Sequence, residues 1–283
     1  MPRAKSQSRY SNIEHLARII WLGRYSKENL MGMFYTAYFD ASGNHTTKYK
    51  LLTVAGAVAP VKKWARFEHQ WSQALKDEGV TEFHMTDFAS SGGEYKDWKD
   101  DKNRRSRFFN RLLRIIADNV NRLFSVSVEL DGWNEVNREY YIAELLHSPF
   151  ALAGRFAVDE VLGWAKRKGT KNIRIVFEEG DEGWGGFLEL CSHVSTIVPI
   201  RVPKQDAIPC QVGDLIAWKT RITGTNALKT TDLNELTKGL GSLNKLMVRP
   251  GKPTIFSEES LRRISVAKNI PKRPIKLSEN NTT

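Results

Sequence analysis

From Phe34 to Asp40 and again from Lys50 to Pro60 the chain is almost continuously apolar or aromatic, and the turn-forming pair Ser42-Gly43 follows the first run. This pattern predicts two strands, the second of them buried, closed into a hairpin. The period then changes. Trp64, Phe67, Trp71 and Leu75 recur every three or four residues, so Val61 to Glu78 is expected as a helix with one apolar face. Glu82 to Phe88 is a short apolar-acidic segment, read as a third strand, and Ser90 to Asp101 is Gly-rich and charged, read as a mobile loop. Asp101 to Val120 returns to the helical period through Phe108, Leu112, Ile115 and Ile116, with Arg104, Arg105, Arg107, Arg111 and Arg114 on its basic side.

Leu123 to Leu130 alternates Phe124, Val126, Val128 and Leu130 with Ser125, Ser127 and Glu129, the period of a half-buried strand. Helices are expected over about Asn134 to His147 and Pro149 to Lys168; in the second, Pro149 falls in the first turn and Gly169 just past the end. Ile173 to Glu178 reads as a strand, Trp184 to Val194 as a helix, Ile197 to Val202 as a strand and Val212 to Thr220 as a helix. Strands alternating with helices imply an α/β domain: a mixed β-sheet flanked by α-helices. This core is expected over 31–224. Residues 1–30 form an N-terminal extension with a short helix from Ser11 to Gly23, where Glu14 stands at capping-box spacing from Ser11. Residues 225–283 form a C-terminal extension, with a helix expected from Asp232 to Leu246 and a basic tail.

Charge adds a partner class. Lys and Arg number 43 against 32 Asp and Glu, a net charge of +11, which favours a polyanion such as nucleic acid. The arginines of the helix from Asp101 fit phosphate contact equally with a solvated helix side. Only two cysteines, Cys191 and Cys210, occur, without zinc-ribbon or disulfide-framework spacing. No apolar run approaches the roughly 20 residues of a membrane span. A cytoplasmic protein without membrane contact is expected, and the two extensions are where a protein partner could dock.

The acids are placed less evenly than the bases. Asp40 closes the first strand, Glu82 lies in the short third one, and Glu178 closes the strand from Ile173. Asp214 opens the last core helix among Leu215, Ile216 and Trp218. In an α/β sheet, strand ends and helix starts meet along one edge, where ligands bind. Carboxylates converging there repel one another unless a divalent cation neutralises them, and hard oxygen donors favour Mg²⁺ or Mn²⁺. Each position also has a plainer reading: Asp40 as a turn acceptor, Glu82 as a surface acid, Asp214 as a helix N-terminal acid. Among Glu178, Glu179 and Asp181 the sequence does not choose. His84 fits a proton carrier near such a site as well as a histidine bonded at a strand edge.

The segments Phe39-Asp40-Ala41-Ser42-Gly43, Glu82-Phe83-His84, Phe177-Glu178-Glu179-Gly180-Asp181 and Gln211-Val212-Gly213-Asp214-Leu215-Ile216-Ala217 come in an order that resembles a bacterial and phage family. It is known as domain of unknown function thirty-eight-hundred, within the RNase H-like superfamily. The resemblance spans about Met31 to Gly224. It implies an RNase H-like fold, catalytic positions at Asp40, Glu82, Glu178 and Asp214, and metal ligation by Asp40, Glu178 and Asp214. It implies supporting roles for Ser42, His84, Asp181 and Gln211. Where the family commonly carries glutamate after the first aspartate, this chain has Ala41.

The expected function is phosphodiester hydrolysis of DNA or RNA at an acidic two-metal site holding Mg²⁺ or Mn²⁺, with Arg104, Arg105, Arg107 and Arg111 on phosphates. The alternative is a non-catalytic RNase H-like module that holds nucleic acid or protein in a mobile-element or anti-phage system. A carboxylate-pair glycosidase would account for neither the positive charge nor four acids.

Overall fold

The computed structural model describes residues 12–20, 34–43, 49–193, 197–230 and 253–274. The helix expected from Asp232 to Leu246 lies outside them, as do residues 1–11.

Leu51–Pro60 is buried from its first residue to its ninth. A strand achieves this only with neighbours on both edges and cover on both faces. The chain supplies both in order. Helix α1 (Asn12–Ile20) precedes β1 (Tyr35–Ser42), β2 (Leu51–Pro60) and α2 (Val61–Glu78). Then come α3 (Met85–Ser90), a 3₁₀ turn (Gly93–Trp98), α4 (Lys102–Asn119) and β3 (Arg122–Glu129). Next are α5 (Leu130–Glu139), α6 (Ile142–Leu146), α7 (Pro149–Arg167), β4 (Ile173–Glu178), α8 (Trp184–Ser192) and β5 (Ile200–Val202). A 3₁₀ turn (Lys204–Asp206), α9 (Cys210–Thr230), β6 (Thr254–Phe256) and α10 (Glu258–Ala267) complete the described chain.

The sheet runs β5-β4-β1-β2-β3-β6. Strand β2 is antiparallel to β1 and β3, whereas β4 is parallel to β1, β5 to β4 and β6 to β3. Three meandering strands followed by two parallel ones added beside the first is the RNase H-like arrangement, and the expected fold class is met.

Two cores form, one on each face. Tyr38, Ala55, Ala57 and Ala59 meet Trp64, Phe67 and Trp71 of α2, Phe108, Leu112 and Ile116 of α4, and Val212 and Leu215 of α9. Ala37, Phe39, Val54 and Val58 meet Phe150 and Val158 of α7 and Phe187 of α8. The alanines of the first face matter for the site, because small side chains let α9 lie close to β1 and β2.

Three local expectations differ. Residues 81–84 form no strand: Phe83 is buried, and its neighbour Glu82 is therefore turned out to solvent. The segment from Ser90 to Asp101 is packed rather than mobile. Tyr95 and Trp98 are buried there and stack edge-on against each other (5.0 Å), with Trp98 against Phe108 at 5.3 Å. In β3 the serine side is buried too, and Ser127 Oγ lies 2.7 Å from Thr53 Oγ1 on the paired strand, so the two hydroxyls satisfy each other.

Both extensions touch the core. Helix α1 docks on α2 through Ile13 and Ala17, and the Ile13 amide donates to Glu68 Oε2 at 3.2 Å. At the other end β6 lengthens the sheet beside β3, a strand that the hydrophobic pattern did not mark. Helix α10 packs on α5, where Arg262 and Lys272 both pair with Glu139. No described helix is long and apolar enough to cross a membrane.

Candidate active site

Alternation along β1 sends Ala37 and Phe39 to one core and Tyr38 to the other, so Asp40 and Ser42 leave the strand on the α9 side. The neighbouring β4 is in register with Phe39 opposite Phe177 and Val176 on Tyr38's face. Glu178 therefore follows Asp40 at the C-terminal end of an adjacent parallel strand and on the same face.

The third carboxylate arrives on α9. Its approach is set by Gly213: a Cβ there would lie 2.7 Å from the Asp40 amide nitrogen and 2.9 Å from the Ala55 carbonyl oxygen. Backbone meets backbone at this point, and the next residue, Asp214, is carried to the end of β1. Asp214 is 8% exposed, and its Oδ2 accepts from the Met85 amide at 2.6 Å. One turn earlier, Gln211 Oε1 accepts from Trp71 Nε1 at 2.7 Å and from the Phe83 amide at 3.0 Å. Gln211 thus acts as a strut between α2, α9 and the segment that carries His84.

These residues line one cavity of about 230 Å³ with Ala41, Ser42, Gly43, Tyr49, Phe83, His84, Thr86, Lys204 and Arg221. Of the expected set, Asp40, Glu178 and Asp214 meet here, with Ser42, His84 and Gln211 around them. Asp181 does not line the cavity. The choice left open in the turn after β4 is now visible: Glu178 faces the cavity, Glu179 points away to Arg201 at 3.5 Å, and Asp181 is half-buried nearby. Glu82 stands outside the cavity wall and pairs with Lys204 Nζ at 3.0 Å. His84 Nδ1 lies 3.2 Å from Asp87 Oδ2.

Electrostatics mark the cluster as strained in charge. Burial raises the Asp40 carboxyl well above the usual range, and the charges of Glu178, Asp214 and Asp181 raise it further, against one backbone hydrogen bond from Ala41. Burial pushes Glu178 up to about 7, with Lys204 opposing and Asp214, Asp181 and Glu82 adding to the rise. Burial alone pushes Asp181 up to about 6. Asp214 is raised by burial, with the Met85 amide, His84 and Lys204 pulling it back. Groups with folded pKa values above their unfolded ones favour the folded state below the unfolded values, near 4. That contribution is lost as pH rises through about 7. In chelator, the melting temperature should therefore fall between pH 5 and pH 7.5, and fall less in Glu178→Gln. Parallel profiles for the two proteins would contradict this account.

Lys204, Arg221, Tyr49 and Thr86 were not anticipated. Arg221 alone left a trace in the sequence: it follows Asp214 by seven residues, nearly two helical turns, and so shares its face. Lys204 and Tyr49 come from connections with no periodicity to read. The arginines of α4 are largely engaged within the molecule. Arg104 pairs with Glu78 at 2.8 Å and lies 4.1 Å over the Trp98 ring. Arg105 donates to the Phe88 carbonyl oxygen at 2.7 Å, and Arg111 pairs with Asp77 at 2.8 Å. Arg107 is exposed.

As the side chains stand, no three His, Cys, Asp or Glu residues among the described ones are grouped closely enough to hold a metal ion. The donor chemistry nevertheless suits one: hard carboxylate oxygens of Asp40, Glu178 and Asp214 face a shared cavity, and their mutual repulsion is what a divalent cation relieves.

Fold and cavity together define an RNase H-like α/β protein with an acidic cleft at the ends of its parallel strands. No protein-family model matches the chain, and no curated protein matches it. Among solved structures it is similar to one described as the complex of PCNA with RNase HII from Archaeoglobus fulgidus. The identity is 13% and the TM-score 0.35, over 88% of this chain and 98% of that one. The fold assignment rests on strand order and direction rather than on that likeness.

Proposed function

We propose that the chain is a Mg²⁺- or Mn²⁺-dependent nuclease that hydrolyses phosphodiester bonds of DNA or RNA at this cavity, and that it belongs to the family resembled by its Asp40 and Asp214 motifs. The observation that carries the reading is the placement of Asp40, Glu178 and Asp214, from three separate elements, around one cavity. Three acids gathered at one cavity, one of them buried and two half-buried, all with carboxyls raised by desolvation, are costly for folding unless a ligand meets them.

In this reading Asp40, Glu178 and Asp214 present the oxygens that hold the ions. Bound there, divalent ions supply an activated water and stabilise the charge on the leaving oxygen. Gln211 and Gly213 fix the distance of α9 from β1 and so the spacing of two ligands. His84, held through Nδ1 by Asp87, carries a proton to or from a group in the cavity. Lys204, restrained by Glu82, tempers the negative field at the β4 side. Glu82 acts here through Lys204 and not as a ligand. The net charge of +11 supports a nucleic-acid substrate.

The test is direct. Mn²⁺ titration followed by calorimetry should show binding at pH 7.5, and end-labelled DNA and RNA oligonucleotides should be cut with Mn²⁺ and not with EDTA. Oligonucleotide binding without metal affinity or cleavage would instead establish the non-catalytic module. Ala41 lines the cavity where the resembled family has a carboxylate, which favours that second reading if cleavage is absent.

A further inference from the structure

We propose that Arg221 positions a phosphate of the substrate, aimed by Ser42 and Tyr49; this deepens the nuclease reading and rests on it. Arg221 lies in α9 on the face of Asp214 and lines the cavity, yet is only 8% exposed. Its stem passes over the turn after β1, where a Cβ on Gly43 would sit 3.1 Å from Arg221 Cδ. Gly43 has φ +94°, a left-handed conformation that suits glycine, so the turn leaves room for the arginine. Nε then donates to Ser42 Oγ at 3.1 Å, and the guanidinium carbon stands 4.4 Å over the Tyr49 ring.

These two contacts fix the plane of the guanidinium and use one of its five donors. Among the described residues no carboxylate pairs with Arg221, although Asp40 and Asp214 line the same cavity. Lys204, the other cavity cation, is by contrast committed to Glu82 at 3.0 Å. Withdrawing a guanidinium from water is costly unless an anion meets it. With its terminal nitrogens unbonded among the described residues, its plane set and Asp214 acting on it only through the field, Arg221 is prepared for an anion. A planar fork matches two oxygens of one phosphate. A positive charge here also offsets the repulsion that the carboxylates exert on a phosphodiester approaching them. Ser42 thus supports the site by holding Arg221 rather than by touching a metal.

The test uses a fluorescein-labelled single-stranded DNA 15-mer, its anisotropy followed in EDTA over a range of NaCl, and Mn²⁺-dependent cleavage kinetics of the same strand. Arg221→Gln should weaken binding about tenfold and flatten the log Kd against log salt plot by about 0.7, one phosphate contact on a single strand. Arg221→Lys should restore the slope but only part of the affinity, because it keeps the charge and loses the fork. Ser42→Ala, which removes no charge, should raise KM several-fold with the slope intact. Wild type that binds and cleaves, with Arg221→Gln unchanged in affinity and slope, overturns this proposal alone. If Arg221→Gln does not fold, an unchanged KM in Ser42→Ala overturns it. Wild type that neither binds nor cleaves overturns the nuclease reading, and this proposal with it.

Discussion

Asp40→Asn is expected to lower metal-dependent cleavage by at least about a hundredfold and to abolish Mn²⁺ binding, while raising the melting temperature in chelator at pH 7.5. The three effects share one cause. Asp40 is the acid on which the others converge: Glu178, Asp214 and Asp181 all act on its carboxyl, and burial acts most. Asparagine has the same shape and keeps an oxygen to accept from the Ala41 amide, now 2.7 Å from Asp40 Oδ1. What it removes is the negative charge, which is the part that repels its neighbours in the metal-free protein and attracts a cation. A variant that gains stability as it loses function separates a ligand from a structural residue. Loss of activity together with a lower melting temperature would instead mean that Asp40 serves the fold, and retained Mn²⁺ affinity would remove it from the site. The matching change Asp214→Asn likewise keeps an oxygen to accept from the Met85 amide, now 2.6 Å from Asp214 Oδ2, and tests the second carboxylate in the same way.

Gly213→Ala should destabilise the protein by about 1–3 kcal/mol, a fall of several degrees in melting temperature for a chain of this size. Two effects oppose each other here. Alanine in place of glycine within a helix gains about 1 kcal/mol of propensity. Against this, the new methyl would stand 2.7 Å from the Asp40 nitrogen, 2.9 Å from the Ala55 oxygen and 3.0 Å from the Asp40 Cβ. Two of those atoms are backbone in the centre of the sheet and cannot swing aside, so α9 must move. Its movement carries Asp214 away from Asp40, and a displacement near 1 Å at a reacting centre can cost about a hundredfold in rate. Activity measured well below the melting temperature should therefore fall more than the unfolded fraction explains. A variant with greater stability and full activity would show that the close approach of α9 does not set the site. Gly79, by contrast, has nothing within 4 Å of its missing Cβ. Its need for glycine is conformational, at φ +71° on the end of α2.

The architecture was legible where periodicity is strong. The span Val61–Glu78 could be read residue for residue, because Trp64, Phe67 and Trp71 mark a single buried face and Gly79 ends it. The strands β1, β2 and β4 were legible for the same reason, and so was the presence of acids at the ends of two of them. The segment around Glu82 was not. Its form depends on Gln211 and Asp214, more than a hundred residues away, which accept its amides in place of a strand partner. Tyr95 and Trp98 were hidden in a stretch rich in Gly and charge, where an aromatic cluster outweighs local preference.

The sequence by itself thus determined the long helices and the strands β1, β2, β3 and β4, the acids toward the ends of two of those strands, and that the sheet would be a mixed one covered by helices; short-range periodicity and side-chain chemistry suffice for that. Only the tertiary structure decided which acids face one another. It drew Glu178 in, sent Glu179 to Arg201, left Glu82 outside with Lys204, and brought Arg221 to Ser42. Such choices depend on register between strands and on how closely one helix can approach a sheet, and a single glycine, Gly213, sets that distance at the site.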